Sequence, residues 1–111
     1  MSSSRPLEIE EHVDGEIARL SLAGELDIAT VPRLEQAVSR ALSRSPHALT
    51  IDLRPLSFMD SSGLREFIVL AERAEREGWK LALVRPATRV LAIFRVTRAE
   101  ENLPFVDAPP Q

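Results

Sequence analysis

Along this chain the spacing of apolar residues switches repeatedly between two and three-to-four, and that alternation restricts the fold more than any other feature. Leu7, Ile9 and Val13 stand among Glu8, Glu10 and His12, a period of two that suits a strand with one covered face. Asp14-Gly15 follows, the pair that best tolerates the positive φ angles of a two-residue hairpin turn. The return segment EIARLSLAG sets Ala18, Leu20 and Leu22 on one face, so an opening β-hairpin is expected. The period then lengthens. Val31, Leu34, Val38, Ala41 and Leu42 recur at helical spacing and define one apolar face. Either Thr30 or Asp27 is placed to cap this helix. Pro32 is tolerated in its first turn, where a missing N–H would be unpaired anyway.

After SRSPH the alternation returns in ALTIDL, a short strand carrying Leu49, Ile51 and Leu53. A second helix is expected from Ser61 to Glu77, stopped by Gly78. Its buried stripe reads Leu64, Phe67, Ile68, Ala71 and Ala74, and Glu72 with Arg76 forms an i,i+4 pair. WKLALV reads as a strand, ATRVLAIFRVT as a third helix with Val90, Leu91 and Phe94 inward, and LPFV as a last short strand. The order ββαβαβα(β) predicts an α/β fold: a mixed, mostly parallel sheet of four to five strands with right-handed crossovers and one antiparallel hairpin strand. A chain of 111 residues suits a single domain. It is expected over residues 7–107, with tails at 1–6 and 108–111.

Composition removes several function classes. A net charge of −3 offers no electrostatic attraction to nucleic acid or to an anionic membrane. No apolar run approaches the roughly 20 residues a membrane span needs, and MSSSRPLE lacks the apolar region of a signal peptide. Without cysteine there is neither a disulfide framework nor a thiolate metal site. One tryptophan and no tyrosine leave little for stacking on bases. A cytoplasmic protein without membrane insertion is the expectation.

The stretch FMDSSGL, residues 58–64, is where chemistry concentrates. Asp60 stands where a strand-to-helix loop ends, so its carboxylate suits the free N–H groups of a first helical turn. Capping does not account for both serines. With Asp60 as cap, Ser61 and Ser62 open the helix beside its positive dipole end, where an anion is welcome, and Gly63 is expected to leave the neighbouring surface bare. A hydrolase elbow fails, because G-x-S-x-G is not met at either serine and His12 and His47 have no acid partner at an informative spacing. A phosphate-cradling loop fails for want of clustered glycines before a lysine. The acids and two histidines form no metal-ligand cluster. A receiver domain needs several acids around a divalent metal and a lysine beside the phosphate; only Asp27 is a plausible acid, and Lys80, the only lysine, opens a strand.

GELDIATVPRL (24–34) followed by IDLRPLSFMDSSGL (51–64) resembles the STAS family, and specifically its single-domain anti-sigma factor antagonists. The likeness runs from the hairpin through the third helix, VRPATRVLAIF included. It implies a non-enzymatic partner of an anti-sigma factor that is also a serine kinase. Binding of the unmodified domain releases the sigma factor; the kinase phosphorylates the serine after the motif aspartate, and a serine phosphatase reverses this. By that correspondence Ser61 is the phosphoacceptor, Asp60 its flanking acid, and the loop bearing Asp27 part of the partner surface. No cofactor is implied. The residues alone leave Ser61 and Ser62 open: at 100° per residue Ser61 falls about 85° from the stripe centre and Ser62 nearly opposite it, which favours Ser62 as the exposed hydroxyl. Val69, among Arg65, Glu66, Arg73 and Arg76 on the outward side, is a further candidate for a partner contact. Two other readings stand beside this one. The first is a STAS subunit of a lipid-transport complex or stress-sensing scaffold without phospho-control; the second is a nucleotide-binding or phosphotransfer protein.

Overall fold

The computed structural model describes residues 5–109, so the expected tails fall partly outside it. Strand β1 (Glu8–Asp14) turns at Gly15, whose φ of 64° the Asp-Gly pair supplies, and pairs antiparallel with β2 (Ile17–Leu26). Helix α1 (Val31–Leu42) crosses over to β3 (Ala48–Asp52), parallel to β2. Then come β4 (Leu56–Met59), helix α2 (Ser61–Glu77), β5 (Lys80–Val84), helix α3 (Thr88–Val96), a 3₁₀ turn at Ala99–Glu101 and β6 (Phe105–Val106). The sheet runs β1-β2-β3-β5-β6, with β4 paired to β2 beyond the end of β3. Every pairing except β1–β2 is parallel. The expected mixed α/β sheet and its element order are borne out, with β4 added between β3 and α2.

Strand β4 escaped the reading for a physical reason. Its four residues bury Leu56 and Met59 and turn Ser57 and Phe58 outward, a pattern that is not period two. It exists because β2 outlasts β3. After Ser21↔Asp52 the second half of β2 needs a new neighbour, and Leu26↔Met59 provides it across a bulge at Gly24 and Glu25. Gly24 is required there: its φ is +98°, and a Cβ would run into the backbone carbonyl of Pro6. Asp52 shapes the β3–β4 connection. It accepts hydrogen bonds from the Arg54 backbone N–H at 3.0 Å and from the Arg54 guanidinium at 2.7 Å. Burial pushes the Asp52 carboxyl upward, but these Arg54 bonds more than offset it and hold the group below its ordinary value.

The core is continuous. Leu20, Leu22 and Leu26 of β2, Ile51 and Leu83 of the inner strands, and Leu34, Phe67 and Phe94 of the helices are all fully or almost fully buried. Phe94 links three elements, with ring centroids 6.2 Å from Phe67 and 5.0 Å from Phe105. Two packing expectations need correction. Val13 is 53% exposed, because an edge strand has a neighbour on one side only. On α2 the buried stripe is Gly63, Leu64, Phe67, Leu70 and Ala74, whereas Ile68 is 39% exposed. The ion pair on that helix is Arg73–Glu77 at 2.9 Å, where Glu72–Arg76 was expected.

Candidate functional site

Two parallel strands ending side by side assemble the site. Leu26, the last residue of β2, stands opposite Met59, the last of β4, and the Asp60 N–H donates to the Leu26 carbonyl at 3.2 Å. The segments that follow, Asp27–Thr30 and Asp60–Ser62, therefore leave the same end of the sheet from neighbouring strands.

Asp60 caps α2. Its backbone is extended, its Oδ1 accepts the Ser62 N–H at 2.8 Å, and its carbonyl accepts from Gly63 and Leu64. Ser61, the first helical residue, is exposed; Ser62 is only partly so. That reverses the order given by wheel geometry. Replacing Ile68 and Ala71 by Gly63 and Leu70 in the stripe turns its centre by roughly 50° at 100° per residue, which brings Ser61 and Ser62 to nearly equal angles from it, so the order is decided by the surroundings of the first turn and not by the wheel. Gly63 is also placed differently from the expectation. It is buried, and a Cβ there would stand 2.6 Å from Met59 Cγ and 2.8 Å from Leu26 Cδ2. The missing side chain lets α2 seat closely on the ends of β2 and β4. Its role is packing, and it presents nothing outward.

The second loop is held by reciprocal bonds. Asp27 Oδ1 accepts the N–H groups of Ala29 at 3.0 Å and Thr30 at 3.1 Å, while the Thr30 hydroxyl accepts the Asp27 N–H at 2.9 Å. Thr30 occupies the cap position of α1 but makes no side-chain capping bond, and Pro32 lies in the first turn. Both expected capping residues thus serve the turn before the helix and hold that loop in one shape. At its tip Ile28 is 78% exposed, a feature the sequence reading passed over. Its signal was available: an isoleucine in the short turn between Asp27 and Thr30 has no periodic neighbours with which to bury. Val69 is 48% exposed on the outward side of α2, as its charged neighbours suggested.

Burial, with Glu35 of α1 as a second contribution, pushes the Glu66 carboxyl on α2 above its ordinary value. A carboxyl raised in the folded state costs stability wherever it is ionised, and that cost disappears as pH falls through its titration range. Glu66→Gln is therefore expected to melt higher than the wild type at about pH 7, with the difference closing towards about pH 4. Thermal melts across that range check this. Among the described residues no three His, Asp or Glu side chains come together to hold a metal ion, and no helix is long and apolar enough to cross a membrane.

A mixed sheet opened by a hairpin, with a capped helix presenting a serine at the shared end of two parallel strands, is the architecture of a STAS domain. The family model described as "Mlab, STAS domain" matches residues 9–106, and the chain belongs to this family. Its relatives are consistent in kind. The anti-sigma-F factor antagonist RsfB of Mycobacterium tuberculosis is 39% identical over 62 residues, 56% of this chain but only 48% of that relative's length. An anti-sigma factor antagonist from Mycobacterium paratuberculosis has a crystal structure that superposes with a TM-score of 0.77 at 29% identity, over 95% of this chain and 91% of that one. The anti-sigma factor antagonist SpoIIAA in its unphosphorylated form superposes with a TM-score of 0.74 at 25% identity, over 93% and 88%.

Proposed function

We propose that this protein is an anti-sigma factor antagonist switched by phosphorylation of Ser61. In its unmodified form it binds an anti-sigma factor that is also a serine kinase and so releases the sigma factor in the cytoplasm. Phosphorylation of Ser61 blocks that binding, and a serine phosphatase restores it. The domain is a substrate and binding partner, without catalysis of its own.

The observation that carries this reading is the exposed Ser61 at the first position of a 17-residue helix, next to a loop held in place by Asp27 and Thr30. A helix start offers unpaired N–H groups and the positive end of the dipole, a setting suited to a phosphate. Ser62 is less suited, since it is partly covered. The names of the similar proteins support the role, as does the description of the SpoIIAA structure as an unphosphorylated form. Asp60 then positions the acceptor, Asp27 fixes the adjoining loop, and Val69 adds apolar area to the partner surface.

Incubation with ATP and the cognate anti-sigma kinase tests this. Peptide mass spectrometry is expected to find one phosphoserine, at Ser61, lost in Ser61→Ala and kept in Ser62→Ala. A phosphate mapped to Ser62, or none at all, would reject the assignment.

A further inference from the structure

Helix α2 has a second exposed feature that the serine switch does not use. From Ser61 the outward line passes Arg65 to Ile68, an exposed apolar residue on an otherwise charged face. Ile68 opens onto a groove of about 370 Å³ between α2 and the end of α3, floored by Leu64, Ala71 and Leu103. A second hollow of about 340 Å³ shares Ala71, Glu75, Asn102 and Leu103 with the first and continues it to Trp79. The two form one channel alongside α2. From Leu64 to Glu75 it runs about 16 Å at 1.5 Å per residue, the length of roughly three turns of helix. Apolar at its floor, it is acidic at its rim. Glu72 and Glu75 both line it, and among the described residues neither has an ion-pair partner. On the opposite wall Arg98 is already engaged by Glu101 at 2.9 Å.

From these observations we infer that the channel beside α2 receives a basic amphipathic helix of the same anti-sigma partner whose binding Ser61 controls. The inference rests on the function proposed above and adds the partner's chemistry. Its docking helix carries Leu, Ile or Met side chains at i, i+3/i+4 and i+7 for the apolar floor, flanked by Lys or Arg facing Glu72 and Glu75. Short amphipathic helices lying in apolar grooves are a recurrent recognition mode. Continuity favours this occupant, because Leu64 at the channel mouth is three residues from Ser61. A partner covering the serine therefore reaches the groove without changing direction. The exposure of Ile68 is explained at the same time: it is core for the complex and surface for the free domain.

Calorimetric titration of the purified cognate anti-sigma kinase into four forms of the full chain separates the possibilities. The forms are wild type, Ile68→Asp, the double variant Glu72→Lys/Glu75→Lys, and Ser61→Asp as the switch control. Both groove variants are expected to lose at least tenfold in affinity, with thermal melts verifying that they fold. The charge-reversal loss is expected to shrink in high salt. If both bind as the wild type does while Ser61→Asp does not, the groove assignment is overturned and the switch survives. If the wild type fails to bind, the proposed function falls and this inference falls with it.

Discussion

Phosphorylated at Ser61, the domain is expected to bind its anti-sigma partner at least about a thousandfold more weakly than the unmodified form, a difference of about 4 kcal/mol. Within the monomer the new charge meets small and opposed effects. The helix start favours a phosphate by about 0.3–1 kcal/mol at an exposed site. Repulsion from the Asp60 carboxylate at about 6 Å is roughly 0.7 kcal/mol per charge pair in water and roughly 3 at an effective dielectric of 20. Asp60 is also held by its bonds to Ser62 and Leu26, so the loop has little freedom to rearrange. An interface changes the balance, since a partner covering the helix start must strip water from a dianion, at a cost of several kcal/mol unless cations meet it. Blocking is therefore expected to be local. Amide spectra of the free domain before and after modification should differ around residues 26–30 and 59–65 and little elsewhere. Shifts spread through the β-sheet would mean that the switch works by refolding instead.

Gly63→Val is expected to destabilise the fold by about 1–3 kcal/mol, the usual cost of forcing extra methyl groups into a filled interior. Even the first added carbon would stand closer than contact distance to Met59 Cγ and Leu26 Cδ2. Neither neighbour has room to retreat: Leu26 is fully buried and Met59 is only 7% exposed. Relief would require α2 to lift from the ends of β2 and β4. Because Asp60 is bonded to Leu26 and caps α2, lifting disturbs the serine as well as the core. Urea unfolding measures the loss, and binding of the anti-sigma partner should weaken in parallel. A variant as stable as the wild type would show that Gly63 is there for the surface, as the sequence suggested, and not for the seat.

Much of this architecture was legible in one dimension. Strand β2 alternates without interruption from Ile17 to Leu26 because each residue meets either the helices or the other face, and period two records that directly. Asp14-Gly15 and Gly78 announce their positions through positive φ angles of 64° and 82° at the glycines. The Asp60 cap was legible because its chemistry is local, joining residues two apart. The outward turn of Ser61 was not. It depends on which apolar side chains α2 buries and on what surrounds its first turn, and a helical wheel cannot tell Leu70 from Ile68 as the buried residue when both are branched and apolar.

By itself, then, the amino-acid order determined where the three helices and every strand but β4 lie, which helix opens with serines, and the family likeness of residues 24–34 and 51–64, all of which depend on short-range periodicity and turn chemistry. The tertiary structure alone decided that β4 takes over from β3 beside β2 and that Asp27 and Asp60 leave one end of the sheet together. It alone turned Ile68 towards a groove. Those outcomes depend on contacts between residues some 30 positions apart, as in the pairing of Leu26 with Met59. No local spacing encodes which distant surface will be present when the chain closes.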